Sequence, residues 1–210
     1  CLHLTADDGT VMLVDCGATA LLAMQRAGID RRAISAILFT HFHGDHIGGL
    51  SGEAGVTFPN ARYLAGRVEY DHWAGAGNDG FDAKVRPLSE KTAFFEDGAE
   101  VAPGITARAA FGHSPGHMTF LVDSAGSQLA ITADTANHHV WSLAHPDWEV
   151  RFDADKPAAA EARRQVFGMI AAERIPFIGY HMPFPALGYV EVAGEGFRYV
   201  PATYQARLSL

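Results

Sequence analysis

One short stretch constrains this chain more than any other: residues 40–46 read THFHGDH and directly follow an apolar run, AILF. We predict a buried strand that feeds a tight turn, with His41 and His43 on one side because strand side chains alternate. Asp45 and His46 would then occupy a second, adjacent position. Divalent transition metals prefer imidazole and carboxylate ligands, and a polar surface turn rarely carries three histidines. The stretch therefore predicts two half-built metal sites on one loop.

Length and composition predict one globular domain over residues 1–210. The chain has 210 residues, 48% of them hydrophobic, which is enough for one well-packed core. Strand and helix patterns alternate along it without an internal repeat or a linker, so we expect the α/β class. Cys1 and Cys16 are its only cysteines, too few for a disulfide framework or a cysteine metal clamp. Because the sequence begins at Cys1 rather than Met, we expect a processed or truncated N-terminus.

Charge and hydropathy narrow the classes of partner. A net charge of −8 opposes a broad nucleic-acid footprint, and no apolar run is long enough to span a membrane. We therefore expect a small-molecule substrate, with no nucleic acid and no membrane as partner. Since the sequence shows no leader, we expect a cytoplasmic protein, or a periplasmic or secreted one if a leader has been removed. The apolar pair Phe94 and Phe95 is the one hint of a homodimer.

Hydrophobic periodicity and turn residues predict the order of the elements. Gly28 would end the first helix, and Pro157 would lie in the first turn of the last one. The stretch 75–90 is rich in Gly, Asp and Pro and is expected to be a mobile loop. Helices are expected at residues 18–27, 68–74 and 158–173, and strands at residues 11–15, 36–40, 61–65, 92–95, 105–111, 119–123, 128–132, 176–180 and 196–200.

Three further places in the chain supply single candidate ligands. His113 lies in the turn GHSPGH between two predicted strands, Asp134 ends the apolar strand AITAD, and His181 follows the apolar segment PFIGY. A lone His or Asp at a strand end is more often a hydrogen-bonded structural residue, so each is weak by itself. A rigid sheet can hold such loops together, and these side chains are the ligands that two ions would still lack. Together with residues 40–46 they favour a metal centre.

The order of these candidate ligands resembles that of a known family. Residues 41–46 show the pattern H-x-H-x-D-H. With the later His113, Asp134 and His181, this pattern resembles the dinuclear hydrolase branch of the metallo-β-lactamase superfamily. The resemblance covers nearly the whole chain and implies an α/β fold, an αββα sandwich, whose N-terminal strand would be missing before Cys1. Four segments look particularly like methyl parathion hydrolase: FPNA at 58–61, EYDHW at 69–73, VAPGI at 101–105 and GEGFRYVP at 194–201.

The resemblance also implies how the ligands are divided and what they hold. The implied cofactor is a pair of divalent metal ions, with zinc favoured, and a hydroxide between them would be the nucleophile. The carboxylates Asp45 and Asp134 are therefore assigned to catalysis as well as to the metal. One ion would be held by His41, His43 and His113, the other by Asp45, His46 and His181, and Asp134 would bridge both.

Neighbouring side chains have supporting roles in this interpretation. Asp15, near the site by resemblance, would accept a hydrogen bond from a ligand imidazole, and His117 would support its loop rather than bind metal. Trp73 and Phe42 would line an apolar substrate pocket. Asn137 is also assigned to the substrate pocket, at the position where acyl-homoserine lactonases carry a Tyr three residues after the bridging Asp.

The implied function is a metal-dependent hydrolase that acts on apolar esters, lactones or phosphotriesters. A glyoxalase II-like thioesterase is one alternative, although residues 204–208 offer little of the basic patch that those relatives use for glutathione. A diiron oxidoreductase is a second, because the same ligands can hold two irons. A catalytically silent binding module is a third, disfavoured because all seven ligands are present. Metal analysis separates the hydrolase from the oxidoreductase.

Overall fold

A computed structural model describes residues 1–53 and 55–202 of the chain. The C-terminal segment 204–208, considered above for a basic patch, lies outside the described residues. The chain divides into two compact units, Cys1–Glu96 and Asp97–Leu210. Each unit mixes helices with a sheet of its own, which confirms the predicted α/β class.

The first unit alternates short strands and helices. Within residues 1–53 and 55–96, five strands form a sheet in the order β1-β2-β3-β6-β7, and β4 pairs with β5. The strands and the first two helices predicted in this unit are confirmed, with differences only at their ends. The elements are β1 (Leu2–Thr5), β2 (Val11–Val14), α1 (Ala20–Arg26), β3 (Ala36–Leu38), α2 (Gly44–Ile47), β4 (Ser51–Gly52), β5 (Gly55–Val56), β6 (Arg62–Gly66), α3 (Arg67–Gly75), α4 (Asp79–Lys84), a 3₁₀ helix (Arg86–Lys91) and β7 (Thr92–Phe95).

The central strands of this sheet run parallel. β2 pairs with β3, β3 with β6, and β6 with β7. Leu13, Ile37 and Leu38 are completely buried, as expected for parallel strands covered on both faces. Parallel pairing brings the C-terminal ends of neighbouring strands to one edge of the sheet. Asp15, after β2, and residues 40–46, after β3, therefore lie at the same edge.

The prediction of a mobile loop at 75–90 is wrong, because this stretch forms α4 and the 3₁₀ helix. The Asn78 side chain caps α4 by accepting a hydrogen bond from the backbone N–H of Phe81 at 3.0 Å. Phe81 is completely buried and packs against the rings of Phe42 and Tyr70. The polar and helix-breaking residues of this stretch thus mark helix ends, and one buried aromatic ring attaches the helices to the core.

Phe94 and Phe95 do not form the exposed apolar pair expected of a dimer contact. Phe95 is buried, and Phe94 packs edge-on against Tyr70 with ring centroids 4.7 Å apart. The Arg67 guanidinium lies over the Phe94 ring, 4.1 Å from its centre. Both rings pack within the first unit and so give no support for a homodimer, which stays a prediction.

The second unit is built on a longer sheet. Within residues 97–202, seven strands follow the order β14-β13-β12-β11-β10-β9-β8. Sequence analysis missed β8, β13 and the short helix α5, since β8 is short and β13 mixes Gly188 and Glu191 into its apolar positions. The elements are β8 (Glu100–Ala102), β9 (Ile105–Ala109), β10 (Met118–Ser124), β11 (Ser127–Ala133), α5 (Trp141–Ala144), α6 (Lys156–Glu173), β12 (Phe177–Gly179), β13 (Leu187–Ala193) and β14 (Gly196–Pro201).

Helix α6 is the main support of this sheet. Its first turn contains Pro157, as predicted, and the Asp155 side chain caps it by accepting a hydrogen bond from the Ala158 N–H at 3.0 Å. Its buried Phe167 ring meets Phe177 of β12 edge-on, with centroids 5.5 Å apart.

No described helix combines the length and the apolar character needed to cross a membrane.

The direction of the central strands decides which loops of the second unit meet. β11 pairs parallel with β12 and antiparallel with β10. The start of β10 and the ends of β11 and β12 therefore share one edge of the sheet. His113, Asp134 and His181 all lie in the loops at this edge.

The buried ring of Phe81 gives a test of the first unit's packing. We expect Phe81→Ala to lower the free energy of unfolding by about 3–5 kcal/mol, because it leaves a cavity in the aromatic core. Leu22→Ala is the matched control, since Leu22 is 49% exposed on α1 and its loss should cost less than about 0.5 kcal/mol. Urea denaturation of both variants measures the difference, and equal losses would contradict the assignment of Phe81 to the core.

Candidate metal-ligand clusters

The first unit brings together the four ligands predicted from residues 41–46. β3 ends at Leu38, before the first histidine, and α2 carries Asp45 and His46, so a helical turn replaces the predicted tight turn. The Nε2 atom of His41 lies 3.1 Å from Nδ1 of His43, and the ring centroids of His41 and His46 are 4.0 Å apart. Nε2 of His46 lies 3.6 Å from a carboxylate oxygen of Asp45. The cluster is thus compact, although strand alternation does not produce it.

A single buried carboxylate, Asp15, orients two of these imidazoles. Its Oδ2 atom lies 2.9 Å from Nδ1 of His46 and accepts the Thr40 hydroxyl at 2.7 Å. The same hydroxyl oxygen lies 3.0 Å from Nδ1 of His41, so both rings meet Asp15 through Nδ1, one of them by way of Thr40. In this arrangement Nδ1 is the protonated nitrogen of each ring and Nε2 is the one suited to a metal. The predicted role of Asp15 as an acceptor for a ligand imidazole is confirmed.

The turn that holds Asp15 is fixed by its backbone. Asp15 has a left-handed conformation, with φ of +57°, which is uncommon for a residue with a side chain. The backbone N–H of Cys16 donates to the carbonyl of His46 at 2.7 Å, which ties the turn to α2. A Cβ atom at Gly17 would overlap the carbonyl oxygen of Asp45, so glycine is required for this approach. The strained turn therefore sets the distance between Asp15 and the ligand helix.

Two predicted pocket residues have different places in the first unit. Trp73 on α3 is half-buried, and its ring meets the ring of His43 edge-on with centroids 5.8 Å apart. Its indole N–H donates to the buried carboxylate of Glu69 at 2.7 Å. Phe42 is 1% exposed and packs against Phe39 and other aromatic rings, so it belongs to the core and not to a pocket wall. The chain leaves the strand at Leu38, which turns Phe42 inward between two ligands.

Glu69 is a functional neighbour that sequence analysis missed. Its Oε1 atom accepts the backbone N–H of Phe42 at 3.0 Å in addition to the Trp73 indole. The carboxylate thus connects the ligand loop to the helix that carries Trp73. The sequence does not reveal this role, because only the fold shows that Glu69 is buried beside the ligand loop.

The second unit brings its three predicted ligands together at the edge of its sheet. Oδ2 of Asp134 lies 2.9 Å from Nε2 of His181 and 3.4 Å from Nε2 of His113. Asp134 is 3% exposed, and the side chain of His181 is 39% exposed. Ala133 and His181 both have left-handed backbones, with φ of +45° and +56°. Such strain at two adjacent strand ends is typical of functional sites.

A second buried carboxylate, Asp153, supports His113. Its Oδ1 atom lies 2.9 Å from Nδ1 of His113, so the ring meets Asp153 through Nδ1 and Asp134 through Nε2. Burial acts to lower the pKa of His113, but the hydrogen bonds to Asp134 and Asp153 outweigh it and raise the pKa to about 9. A cation that binds Nε2 would therefore displace a proton. Sequence analysis missed Asp153, which lies far from His113 along the chain.

Three more polar residues of the second unit lie near these ligands in the sequence, and the structure shows their contacts. The Nε2 atom of His117 accepts the backbone N–H of Asp134 at 3.2 Å, which supports the interpretation of His117 as a residue that holds the loop. Asn137 is half-buried, and its Oδ1 atom is buried without a hydrogen-bond partner among the residues that the structure describes. Nδ1 of His138 accepts the backbone N–H groups of Val140 and Trp141, at 3.1 and 3.2 Å, just before and at the start of α5.

The donor chemistry of both clusters fits divalent transition metals. Each unit offers imidazole nitrogens and at least one carboxylate, and these residues belong to the groups of His and Asp that could hold a metal ion. In each unit one imidazole contacts a buried carboxylate through Nδ1, which is the usual support of a metal-bound histidine. Nε2 of His41 and Nδ1 of His43 lie 3.1 Å apart. The residue types in both clusters therefore fit a divalent metal ion.

Cys16 does not compete as a nucleophile. The thiol is completely buried next to Asp15, and burial raises its pKa to about 12. A thiol with this pKa stays protonated at neutral pH and is a poor nucleophile. The chemistry of the first unit therefore depends on its imidazoles and carboxylates.

Comparison with known families identifies the pattern of these residues. A family model described as the metallo-beta-lactamase superfamily matches residues 3–176, which include six of the seven predicted ligands and end before His181. The solved structure of AidC, described as a dizinc quorum-quenching lactonase in complex with a product, is similar at a TM-score of 0.87 and 24% identity over 96% of this chain and 78% of that one. A hydrolase of the beta lactamase superfamily, AbOPH, is similar at a TM-score of 0.87 and 22% identity, over 93% and 76%. At these identities the likeness shows the fold.

Curated relatives match over a short part of the chain. The anti-Pycsar protein Apyc1 of Saccharibacillus brassicae is 51% identical over 47 residues, 22% of this chain and 19% of that protein. A ribonuclease Z of Agathobacter rectalis is 47% identical over 45 residues, 21% and 15% of the two chains. The matching stretch therefore covers less than a fifth of the length of either relative. The finer likeness to methyl parathion hydrolase stays a prediction.

The carboxylate of Asp15 gives a test of the first cluster. We expect Asp15→Asn to lower zinc affinity by about 10–100-fold, because the amide cannot hold both imidazoles and the Thr40 hydroxyl as the carboxylate does. Asparagine tolerates the left-handed backbone, so the turn itself should survive. Asp7→Asn is the matched control, since it removes the same charge from an exposed position of the first unit. Competition with a chromophoric chelator measures both, and equal affinities would contradict the role of Asp15.

Proposed function

We propose a function on the basis of the family match, which shows that this chain belongs to the metallo-β-lactamase superfamily. The proposed function is that of a metal-dependent hydrolase with two divalent metal ions, acting on apolar esters, lactones or phosphotriesters. One observation carries the proposal: in each unit a buried carboxylate contacts Nδ1 of a predicted ligand imidazole, Asp15 with His46 and Asp153 with His113. A histidine held in this way presents Nε2 as a metal ligand.

The ligands of the two ions are proposed from the family pattern. The family pattern supports three ligands for each ion and one shared carboxylate, and this coordination number leaves positions open for water and substrate. Zinc is the favoured metal because imidazole and carboxylate donors suit it. The proposed ligands are His41, His43 and His113 for one ion, Asp45, His46 and His181 for the other, and Asp134 for both.

The chemistry follows from this ligand set. When bound, the two cations would lower the pKa of water toward neutrality, so that hydroxide is the nucleophile, and would polarise the carbonyl or phosphoryl oxygen of the substrate. Asp45 and Asp134 contribute the negative charge that holds the cations, and Asp15 and Asp153 keep the ligand rings oriented. The high pKa of Cys16 supports a reaction without a covalent enzyme intermediate.

The proposed substrate class is supported by two side chains. Trp73 presents an aromatic ring beside the ligand His43, which favours an apolar group there. The buried Oδ1 atom of Asn137, without a partner among the described residues, is suited to accept a hydrogen bond from a substrate N–H or O–H group. We propose a small-molecule substrate because the net charge of −8 opposes RNA, although a ribonuclease Z is among the relatives with a short matching stretch.

The reaction is tested on the chain after reconstitution with metal. We expect about two ions per chain by elemental analysis and the highest kcat/KM for aryl esters, lactones or phosphotriesters, because a hydroxide activated by two cations can attack carbon or phosphorus. The panel also contains thioesters, β-lactams and an RNA phosphodiester. Chelation should abolish turnover, and zinc, manganese or cobalt should restore it. Solvent ¹⁸O should enter the product in a single turnover.

Each alternative has its own result in this experiment. Stoichiometric iron with an absorbing oxidised form would favour the diiron oxidoreductase, and preference for thioesters would favour a glyoxalase II-like enzyme. Inactivity toward the whole panel with two metals bound, or a trapped acyl- or phosphoryl-enzyme, would overturn the proposed hydrolase. A chain that is fully loaded with a single ion would overturn the dinuclear ligand assignment.

His181 tests the ligand assignment in the second unit. We expect His181→Ala to lower metal content and turnover together, because the imidazole is a proposed ligand. His145→Ala is the control: His145 is an exposed histidine of the same unit, stacked on Trp148, with no proposed metal role. Elemental analysis and kcat/KM of both variants are compared with the unchanged chain. Normal metal content and turnover in His181→Ala would remove His181 from the ligand set.

A further inference from the structure

A completely buried guanidinium lies under the loops of the second unit. Arg163 is on α6 and is 1% exposed. Its Nη2 atom donates to Oδ2 of Asp153 at 3.0 Å, and its Nε atom donates to the carbonyl of Thr135 at 3.0 Å. Its Nη1 atom donates to the carbonyls of Pro146 and Trp148. One side chain thus holds a carboxylate and three separate backbone positions.

Two of these contacts are made to residues that support or adjoin proposed metal ligands. Asp153 uses its other oxygen, Oδ1, to contact Nδ1 of His113 at 2.9 Å. Thr135 is the residue after Asp134, so its carbonyl fixes the end of the loop that carries the bridging carboxylate. The ligands themselves enter from different strands, His113 before β10 and Asp134 after β11. The guanidinium therefore connects the supports of two ligands that the sequence separates.

The start of α6 adds a backbone connection to the same loop. The carbonyl of Gly112 accepts the N–H of Asp155 at 2.9 Å, and the carbonyl of His113 accepts the N–H of Ala154 at 3.2 Å. Gly112 has φ of +128°, and a Cβ atom there would overlap the backbone of Ala159. The loop of His113 thus lies directly on the first turn of the helix, which lets Arg163 act on the ligand over a short path.

We propose that Arg163 is a positioning residue that fixes His113 and Asp134 for metal binding. The inference rests on the proposed function and goes beyond it, because Arg163 is not itself a ligand. Burying a charged pair is a poor way to gain stability, since desolvation offsets most of the attraction. A planar fork of five N–H donors is, however, the one side chain that can bond a carboxylate and several carbonyls at once. In this arrangement Oδ2 of Asp153 accepts the guanidinium, and Oδ1 is left to contact Nδ1 of His113.

The test compares conservative variants of Arg163, on α6, and of Asp153, which precedes the helix. Arg163→Lys keeps the positive charge but loses the fork, and Asp153→Asn keeps the shape but loses the charge. Arg164→Lys is the matched control, because Arg164 is an exposed neighbour whose guanidinium pairs with Asp147 outside the ligand loops. Zinc affinity for both equivalents is measured on the full chain by competition with a chromophoric chelator.

We expect Asp153→Asn to lower the affinity for the ion held by His113 by about 10–100-fold. We expect Arg163→Lys to lower the affinity for both ions, because Asp134 is proposed to contact both. Arg164→Lys should change neither affinity by more than about twofold. A second readout needs no metal: the imidazole ¹H–¹⁵N spectrum should show a protected Nδ1–H of His113. This signal should be lost in Asp153→Asn, shifted in Arg163→Lys and unchanged in Arg164→Lys.

The outcomes separate this inference from the proposed function. A folded Arg163→Lys chain, by near-ultraviolet circular dichroism, that keeps both affinities and the His113 signal would overturn the positioning role. If Arg163→Lys does not fold, Asp153→Asn decides, and unchanged affinities in that variant would overturn the role. An unchanged chain that takes up no zinc contradicts the proposed function, and the His113 signal in the variants then decides the positioning role by itself.

Discussion

The hydrogen bond between a buried carboxylate and an imidazole is the interaction on which both clusters depend. In the first unit Asp15 contacts His46 directly and His41 through the Thr40 hydroxyl. In the second unit Asp153 contacts His113. A buried carboxylate is costly unless it is fully bonded, and here the backbone N–H of Thr40 satisfies Asp15 and the guanidinium of Arg163 satisfies Asp153. Orientation of the rings is thus established by the protein before any ligand arrives.

Each sheet makes this arrangement possible through the direction of its strands. Parallel pairing collects the ends of β2 and β3 at one edge in the first unit, and the ends of β11 and β12 at one edge in the second. At these edges the chain turns sharply, with left-handed backbones at Asp15, Ala133 and His181. The surrounding hydrogen bonds hold these conformations, and the strain is found where the candidate ligands are.

The candidate ligands could be predicted from the sequence because metal binding requires particular residue types in a dense, ordered pattern. Their supports could not, since Asp153 and Arg163 are ordinary residue types that only the fold brings to His113. The prediction of Phe42 as an apolar pocket wall is wrong, because an aromatic residue type does not distinguish a pocket from the core and this ring is 1% exposed beyond the end of β3. The helices at 75–90 were missed because Gly, Asp and Pro mark helix ends as often as loops, and the deciding residue, Phe81, is one ring among many.

The inward position of Phe42 connects the ligand loop of the first unit with the stability of its aromatic core. His41 and His43 flank a ring that is 1% exposed and lies in the aromatic core with Phe39 and Phe81. Movement of the two ligand rings would therefore disturb the aromatic core, and loosening of the core would move the rings. A cation that bound only the folded chain would thus raise the thermal stability of this unit through one side chain.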